Sequence, residues 1–219
     1  MVSDSFFCVI EGIDGAGKTS IARQLHDALS QTHRDLVALT YQPHDDSVMG
    51  QEIRAALSRQ RDMNGIELAQ AFALNRSNHL KTVIEPHLQE EQAVLICDRY
   101  LLSSLVYQTR GIVEMRDVYH MNRWALVPHL TIVLQVEAHI AYQRMDDRGK
   151  RARELFENDL PTRLKKYEDG IALLREKGHT IVEVDGNGAI TDVFNLALDA
   201  LKHHKPPWLR IQPPLILDS

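Results

Sequence analysis

Two cysteines in 219 residues leave nothing from which to build a disulfide framework. Cys8 and Cys97 both sit in apolar runs and read as small buried thiols of a reducing compartment. Long apolar stretches are missing as well. None approaches the ~20 residues that cross a bilayer, and Met1-Val2-Ser3-Asp4-Ser5 lacks the basic-then-apolar layout of a secretion signal. There is no excess of positive charge: 25 Lys and Arg stand against 30 Asp and Glu, a net charge of −5. That balance gives no general pull towards nucleic acid or anionic membrane. The eleven histidines are scattered, with neither an HExxH pattern nor Cys/His ligand spacing, so they read as solvated or satisfied side chains. The expectation is a cytoplasmic protein with no membrane or nucleic-acid partner. At this length it is one domain, 1–219, able to bury a core without metal or disulfide.

What the chain does have is concentrated near its start. The apolar run Phe6-Phe7-Cys8-Val9-Ile10 leads into Gly12-Ile13-Asp14-Gly15-Ala16-Gly17-Lys18-Thr19, the complete G-x-x-x-x-G-K-[ST] phosphate loop. The glycines allow a tight turn that points backbone N–H groups at an anion, and the following helix adds the positive end of its dipole. Lys18 brings a point charge to the β/γ-phosphates, and the Thr19 hydroxyl is placed to ligate Mg²⁺. The cofactors expected are therefore ATP and Mg²⁺.

Short apolar runs alternate with helix-like stretches along the chain, which predicts an α/β fold. Five strands are expected at about 6–11, 36–41, 93–97, 130–136 and 180–184, forming a parallel sheet flanked by helices on both faces. Helices are expected at about 18–31, 48–58, 65–89, 102–110, 116–125, 138–148, 161–177 and 190–203, with Pro86 able to kink or end the third. The tail 205–219 mixes prolines with Trp208, Leu209, Ile211 and Leu215, and reads either as extended chain packed on the body or as an oligomer contact.

Val94-Leu95-Ile96-Cys97-Asp98 is a buried strand ending in an acid, the Walker B pattern, so Asp98 is the second candidate for holding Mg²⁺. Arg99 follows at the edge of the sheet where ligands bind in such folds. Phe72 and Arg76 are four residues apart on one helix and share a face. On periodicity alone Phe72 reads equally well as a core residue.

The order Glu11 to Thr19, Phe72-Ala73-Leu74-Asn75-Arg76, Asp98-Arg99-Tyr100, Ser103-Ser104, Tyr107-Gln108 and Pro128-His129-Leu130-Thr131-Ile132 resembles the thymidylate kinases, from about Phe6 to Asn158. The resemblance implies a P-loop, nucleoside monophosphate kinase-like fold with a short lid at 148–158. It implies a deoxynucleoside monophosphate as partner substrate and, by analogy only, a homodimer. Asp14 would accept a hydrogen bond from the sugar 3′-hydroxyl, and Phe72 would stack on the pyrimidine. Arg76 and Arg99 would clamp the acceptor phosphate, with Arg54 a further contact. Ser103 and Ser104 would lie at the base edge beside Gln108, Ser104 the better placed. Tyr107 would sit under the sugar and exclude a 2′-hydroxyl.

Some members of that family carry a catalytic Arg in the phosphate loop, after its Asp, while others supply it from the lid. Gly15-Ala16 resembles the second kind. Arg148, Arg151 and Arg153, in a run of four cations over six residues, are then the candidates to neutralise the transferring phosphoryl group, together with Lys18 and Arg99. A solvated charged face is the plainer reading of that run.

Two positions depart from the family pattern. Gln42, in Tyr41-Gln42-Pro43, stands where a Glu is usual, with Asp45 or Asp46 as substitutes, and Leu155 stands where a lid Arg is usual. The activity expected is transfer of the ATP γ-phosphoryl group to dTMP. The alternatives are a modified deoxyuridine monophosphate as acceptor, a deoxynucleoside kinase, for which Gln42 is the wrong residue, a regulatory NTPase, or a homologue that binds nucleotide without turnover. The loop Asp185-Gly186-Asn187-Gly188 is either an adenine-side contact or a simple turn.

Overall fold

The structure, a computed structural model, describes residues 4–146 and 160–211. Five strands, β1 (Phe6–Gly12), β2 (Val37–Tyr41), β3 (Val94–Asp98), β4 (Leu130–Gln135) and β5 (Ile181–Asp185), form one parallel sheet in the order β2-β3-β1-β4-β5. All seven residues of β1 are buried, which requires cover on both faces of the sheet. Its apolar, β-branched and aromatic side chains suit that central place, each full burial contributing about 1.5–3 kcal/mol.

The cover comes from α1 (Lys18–His33), α2 (Val48–Leu57), α3 (Gly65–His79), α4 (Glu85–Leu88), α5 (Leu101–Tyr107), α6 (Met115–Met121), α7 (Ala138–Asp146), α8 (Leu160–Glu176) and α9 (Ile190–His204). Helices α1 and α9 pack together, as do α5 and α8. Ile21, Leu25 and Leu29 face inward on α1, the stripe its periodicity predicts. The expected helix at 65–89 is continuous. A π turn, Leu80–Ile84, directly precedes Pro86, so the change of hydrogen-bond register falls where the proline's missing N–H would otherwise interrupt the helix. Leu36 belongs to a 3-10 turn rather than to the second strand, and the helices expected to reach 110 and 125 end at Tyr107 and Met121.

Between β1 and β3 the connection changes sides of the sheet, and the carboxyl ends of these two strands open the crevice where such folds bind ligands. Ile10 is paired with Asp98, so the phosphate loop and Asp98 leave the sheet side by side. Residues 205–211 of the tail pack on the body. Leu209 is fully buried, Trp208 meets His33 edge-on, and the Arg210 N–H donates to His33 Nε2 at 3.0 Å. Among the described residues, no helix is long and apolar enough to cross a membrane.

Candidate active site

The phosphate loop turns on residues with left-handed backbone. Gly15 has φ +84°, and a Cβ there would lie 2.4 Å from the Ala141 carbonyl oxygen of α7. A side chain at position 15, an arginine included, would therefore have to displace the α7 backbone. Lys18 is buried, and its Nζ donates to the Ile13 carbonyl at 2.6 Å. Burial, then the neighbouring Arg99, lowers its pKa to about 8, against the opposing pull of Asp14, Asp98 and Glu11. Thr19 Oγ1 donates to Asp98 Oδ2 at 2.5 Å, and Asp98 Oδ1 is buried with no hydrogen-bond partner. A hydroxyl and a carboxylate with one orphaned oxygen, beside a phosphate loop, fit Mg²⁺, which takes few protein ligands and completes its shell with phosphates and water. Among the described residues no group of three or more His, Cys, Asp or Glu side chains is gathered to hold a metal ion by itself.

Next to the loop lies a cavity of about 440 Å³. All nine predicted acceptor residues line it: Asp14, Arg54, Phe72, Arg76, Arg99, Ser103, Ser104, Tyr107 and Gln108. They come from the phosphate loop, α2, α3, the start of the β3–α5 connection, and α5 with its C-terminal cap. Thr19 and Asp98, the predicted Mg²⁺ ligands, line the same cavity as the predicted acceptor residues.

At the mouth, Asp14 is held from several directions. Arg99 Nη2 donates to its Oδ1, the Tyr107 hydroxyl donates to its Oδ2 at 2.9 Å, and Arg163 Nη1 lies 3.8 Å from Oδ2. Burial alone would raise the Asp14 pKa, but Arg99, Lys18, the Tyr107 hydrogen bond and Arg163 together bring it down to about 2. Arg99 also donates to Ser103 Oγ at 3.2 Å. Arg54 pairs with Asp45 at 2.8 Å, so Asp45 neutralises Arg54 rather than replacing a carboxylate at position 42.

The floor is set by Arg76, which is 1% exposed. Its Nε donates to Gln42 Oε1 at 2.9 Å, its Nη1 to Asn122 Oδ1, and its Nη2 to the Tyr100 carbonyl at 3.0 Å and Ser104 Oγ at 2.6 Å. Gln42 also lies 3.1 Å from His79 Nδ1, while His79 Nε2 lies 2.7 Å from Thr40 Oγ1. Burial, then His44 and Arg76, lowers the His79 pKa to about 3, so the ring is neutral. A neutral His79 that donates to Thr40 presents a lone pair at Nδ1. An amide at position 42 can donate to that lone pair and accept from Arg76 at once, whereas a carboxylate could not donate. In that tautomer Gln42 satisfies both neighbours. Gln108 Oε1 is buried and unpartnered at the cavity wall. Phe72 packs beside Ile53, Leu57 and Ala71 and also lines the cavity, so core and cavity placements both describe it.

Several side chains of the site were given no role by the sequence, Glu11 among them although it opens the phosphate-loop motif. Glu11, fully buried, accepts from the Tyr100 and Ser103 N–H groups at 2.7 and 3.0 Å and from Ser103 Oγ at 2.6 Å. It holds the first turn of α5 and occupies Ser103's hydroxyl, which leaves Ser104 the better placed of the two serines. Tyr167 donates to the Gly12 carbonyl at 2.7 Å. Arg144 donates to the carbonyls of Gly186, Asn187 and Gly188 at 2.8, 3.0 and 2.9 Å, pinning the loop after β5 against α7. Arg148, Arg151, Arg153 and Leu155 lie outside the described residues.

The fold and the crevice define a P-loop protein of the nucleoside monophosphate kinase type. Comparison with known proteins makes the family specific. The family model described as thymidylate kinase matches residues 10–196. A probable thymidylate kinase of Staphylothermus marinus is 33% identical over 192 residues, covering 88% of this chain and 92% of that protein. A thymidylate kinase of Staphylococcus haemolyticus is 32% identical over 196 residues, covering 87% of this chain and 94% of that protein. The crystal structure of thymidylate kinase from Ehrlichia chaffeensis shares the fold, with a TM-score of 0.66 at 23% identity over 90% of this chain and 98% of that one. The chain belongs to the thymidylate kinase family, a family of phosphotransferases.

Proposed function

We propose that the protein transfers the γ-phosphoryl group of ATP to dTMP, giving dTDP and ADP. The observation that carries this reading is the convergence of nine acceptor candidates, from separate segments, on one cavity that adjoins the phosphate loop. An oxygen of the dTMP phosphate attacks the γ-phosphorus and the bond to the β-phosphate oxygen breaks. The attacking group is already anionic, so no general base is required and the protein's task is positioning and charge neutralisation.

Lys18 would turn from the Ile13 carbonyl to the β/γ-phosphates, and Arg99 and Arg54 would hold the acceptor phosphate. Asp14 would take the 3′-hydroxyl, with Tyr107 against the sugar and Phe72 against the base. Arg76, expected from the resemblance to clamp the acceptor phosphate with Arg99, is instead engaged in the buried layer with Gln42, Asn122 and Ser104, and would meet the deepest polar group of the acceptor rather than its phosphate. The orphaned Gln108 oxygen supports a hydrogen bond from a pyrimidine N–H. Mg²⁺, held by Thr19 and Asp98, would neutralise charge on the phosphates. The loop 185–188, fixed by Arg144, would lie on the adenine side. For the lid, the close approach of the α7 backbone to Gly15 supports Arg148, Arg151 and Arg153 as the source of the remaining charge. Single-turnover rates of Arg148→Ala, Arg151→Ala and Arg153→Ala test this. We expect a loss of about 10³-fold or more in at least one, and near-native rates in all three would end the assignment.

We place the reaction in the cytoplasm, a reading supported by the unpaired, buried Cys8 and Cys97. The working form would be a homodimer, supported by exposed Ile66 and Leu74, eight residues apart on α3. Sedimentation equilibrium giving only monomer would reject that. A coupled ADP-release assay with dTMP, dUMP, a 5-substituted dUMP, dCMP and thymidine tests the activity. Preference for dTMP is expected. Preference for thymidine would favour a deoxynucleoside kinase instead, and no stimulation by any acceptor would remove the kinase reading.

A further inference from the structure

Helix α8 reaches the phosphate loop at two points one turn apart. Its placement against α5 is close: a Cβ on Gly170 would lie 2.8 Å from Leu102 Cδ1. Tyr167 OH donates to the Gly12 carbonyl at 2.7 Å. Arg163, four residues earlier and therefore on the same helical face, is only 8% exposed. Its guanidinium lies 5.3 Å from the centre of the Tyr107 ring, and the Arg99 guanidinium lies 5.4 Å from the same ring.

The Asp14 carboxylate is shared between these groups. Oδ1 takes Arg99, and Oδ2 takes the Tyr107 hydroxyl with Arg163 at 3.8 Å. Two guanidinium groups thus face one carboxylate, and of the two Arg99 lines the acceptor cavity. An anionic group entering the cavity competes with Asp14 for Arg99. Moving Arg99 to the ligand, with Lys18 drawn to the donor phosphates, would leave the half-buried carboxylate to the Tyr107 hydroxyl and Arg163.

We propose that Arg163 is a positioning residue for the acceptor, holding Asp14 paired while Arg99 is drawn to the acceptor's phosphate. The proposal rests on the reading of the cavity as a site for a nucleoside monophosphate. Arg163 acts through Asp14 and does not touch the acceptor. Its loss should weaken ligands that carry the phosphate and leave the parent nucleoside nearly unaffected.

Calorimetric affinities of dTMP and thymidine for the native chain, Arg163→Gln and Arg163→Lys, each also in an Asp14→Asn background, test this. Arg163→Gln is expected to weaken dTMP about tenfold or more and thymidine less than about threefold, with no further loss once Asp14 is Asn. Arg163→Lys, which keeps the charge but not the planar group stacked on Tyr107, should lose clearly less dTMP affinity than Arg163→Gln. An equal loss in the Asp14→Asn background would mean direct contact with the acceptor and overturn the proposal. So would a loss with Lys as large as with Gln, or native affinity in Arg163→Gln. A second readout needs no nucleotide. The Asp14 carboxyl, followed by NMR in the free protein, should titrate at higher pH in Arg163→Gln than in the native chain, and an unchanged titration contradicts the proposal. Should the native chain fail to bind dTMP, the acceptor reading falls, and this titration still decides whether Arg163 holds Asp14.

Discussion

Lys18 and Gln42 show how single side chains are tuned by what buries them. For Lys18 burial disfavours the charged form, and the pKa of about 8 lies below the ~10.4 of an unfolded chain. In the free protein the proton is therefore held below about pH 8 and lost above it. Because kcat/KM reports the free enzyme, kcat/KM for ATP should fall above about pH 8, while kcat, set in a complex where phosphates hold the proton, should fall only at higher pH. A flat kcat/KM profile to pH 9.5 would contradict this. Gln42 makes a different case: Arg76 would pair readily with a carboxylate there, and it is the lone pair of a neutral His79 that an amide can meet and a carboxylate cannot. Gln42→Glu should raise the His79 pKa from about 3 towards neutrality and raise the KM for dTMP, because Arg76 becomes paired to a full charge. NMR titration of His79 checks the first part, and a ring still neutral at pH 4 in the variant would count against the account.

The elements explain which parts of the site a linear reading can find. The alternation of apolar runs and helical stretches gave the five parallel strands nearly to the residue, because a sheet buried on both faces writes itself as continuous hydrophobic runs. The phosphate loop, Asp98-Arg99 and the Phe72/Arg76 pair were legible because each motif is short and local. Glu11, Asn122 and Arg163 were not, since their partners lie far along the chain: Glu11 reaches Ser103 across 92 positions and Arg76 reaches Asn122 across 46. Arg163 sits among Lys165 and Lys166 and looks like any solvated helix face. Glu11→Gln tests the element it anchors. With the first turn of α5 loosened, about 1–3 kcal/mol of stability should be lost, seen as a lower urea midpoint at unchanged slope, and kcat/KM for dTMP should fall with it. Contact between α7 and the phosphate loop gives a second test. Gly15→Arg brings a Cβ to within 2.4 Å of the Ala141 carbonyl, so it should cost about 1–3 kcal/mol and give no gain in rate. A faster, equally stable variant would mean that α7 yields easily and that the loop lacks its arginine for another reason.

At the scale of the whole molecule, one sheet edge gathers two chemically different half-sites. The proposed donor half is generic: a glycine-turned loop, a buried lysine, and a hydroxyl and carboxylate suited to Mg²⁺. The proposed acceptor half is particular, and its charge is arranged in depth, with Asp14 between Arg99 and Arg163 and, deeper, Arg76 among neutral acceptors. That layout suits a ligand with a phosphate at one end, a sugar hydroxyl between, and a polar ring at the other. Its most direct test is a ³¹P NMR time course of the protein with ATP, Mg²⁺ and dTMP. The account predicts that dTDP and ADP appear together in equal amounts as ATP and dTMP are consumed. ATP consumed to ADP and inorganic phosphate with dTMP left intact, or no reaction at all, would contradict it.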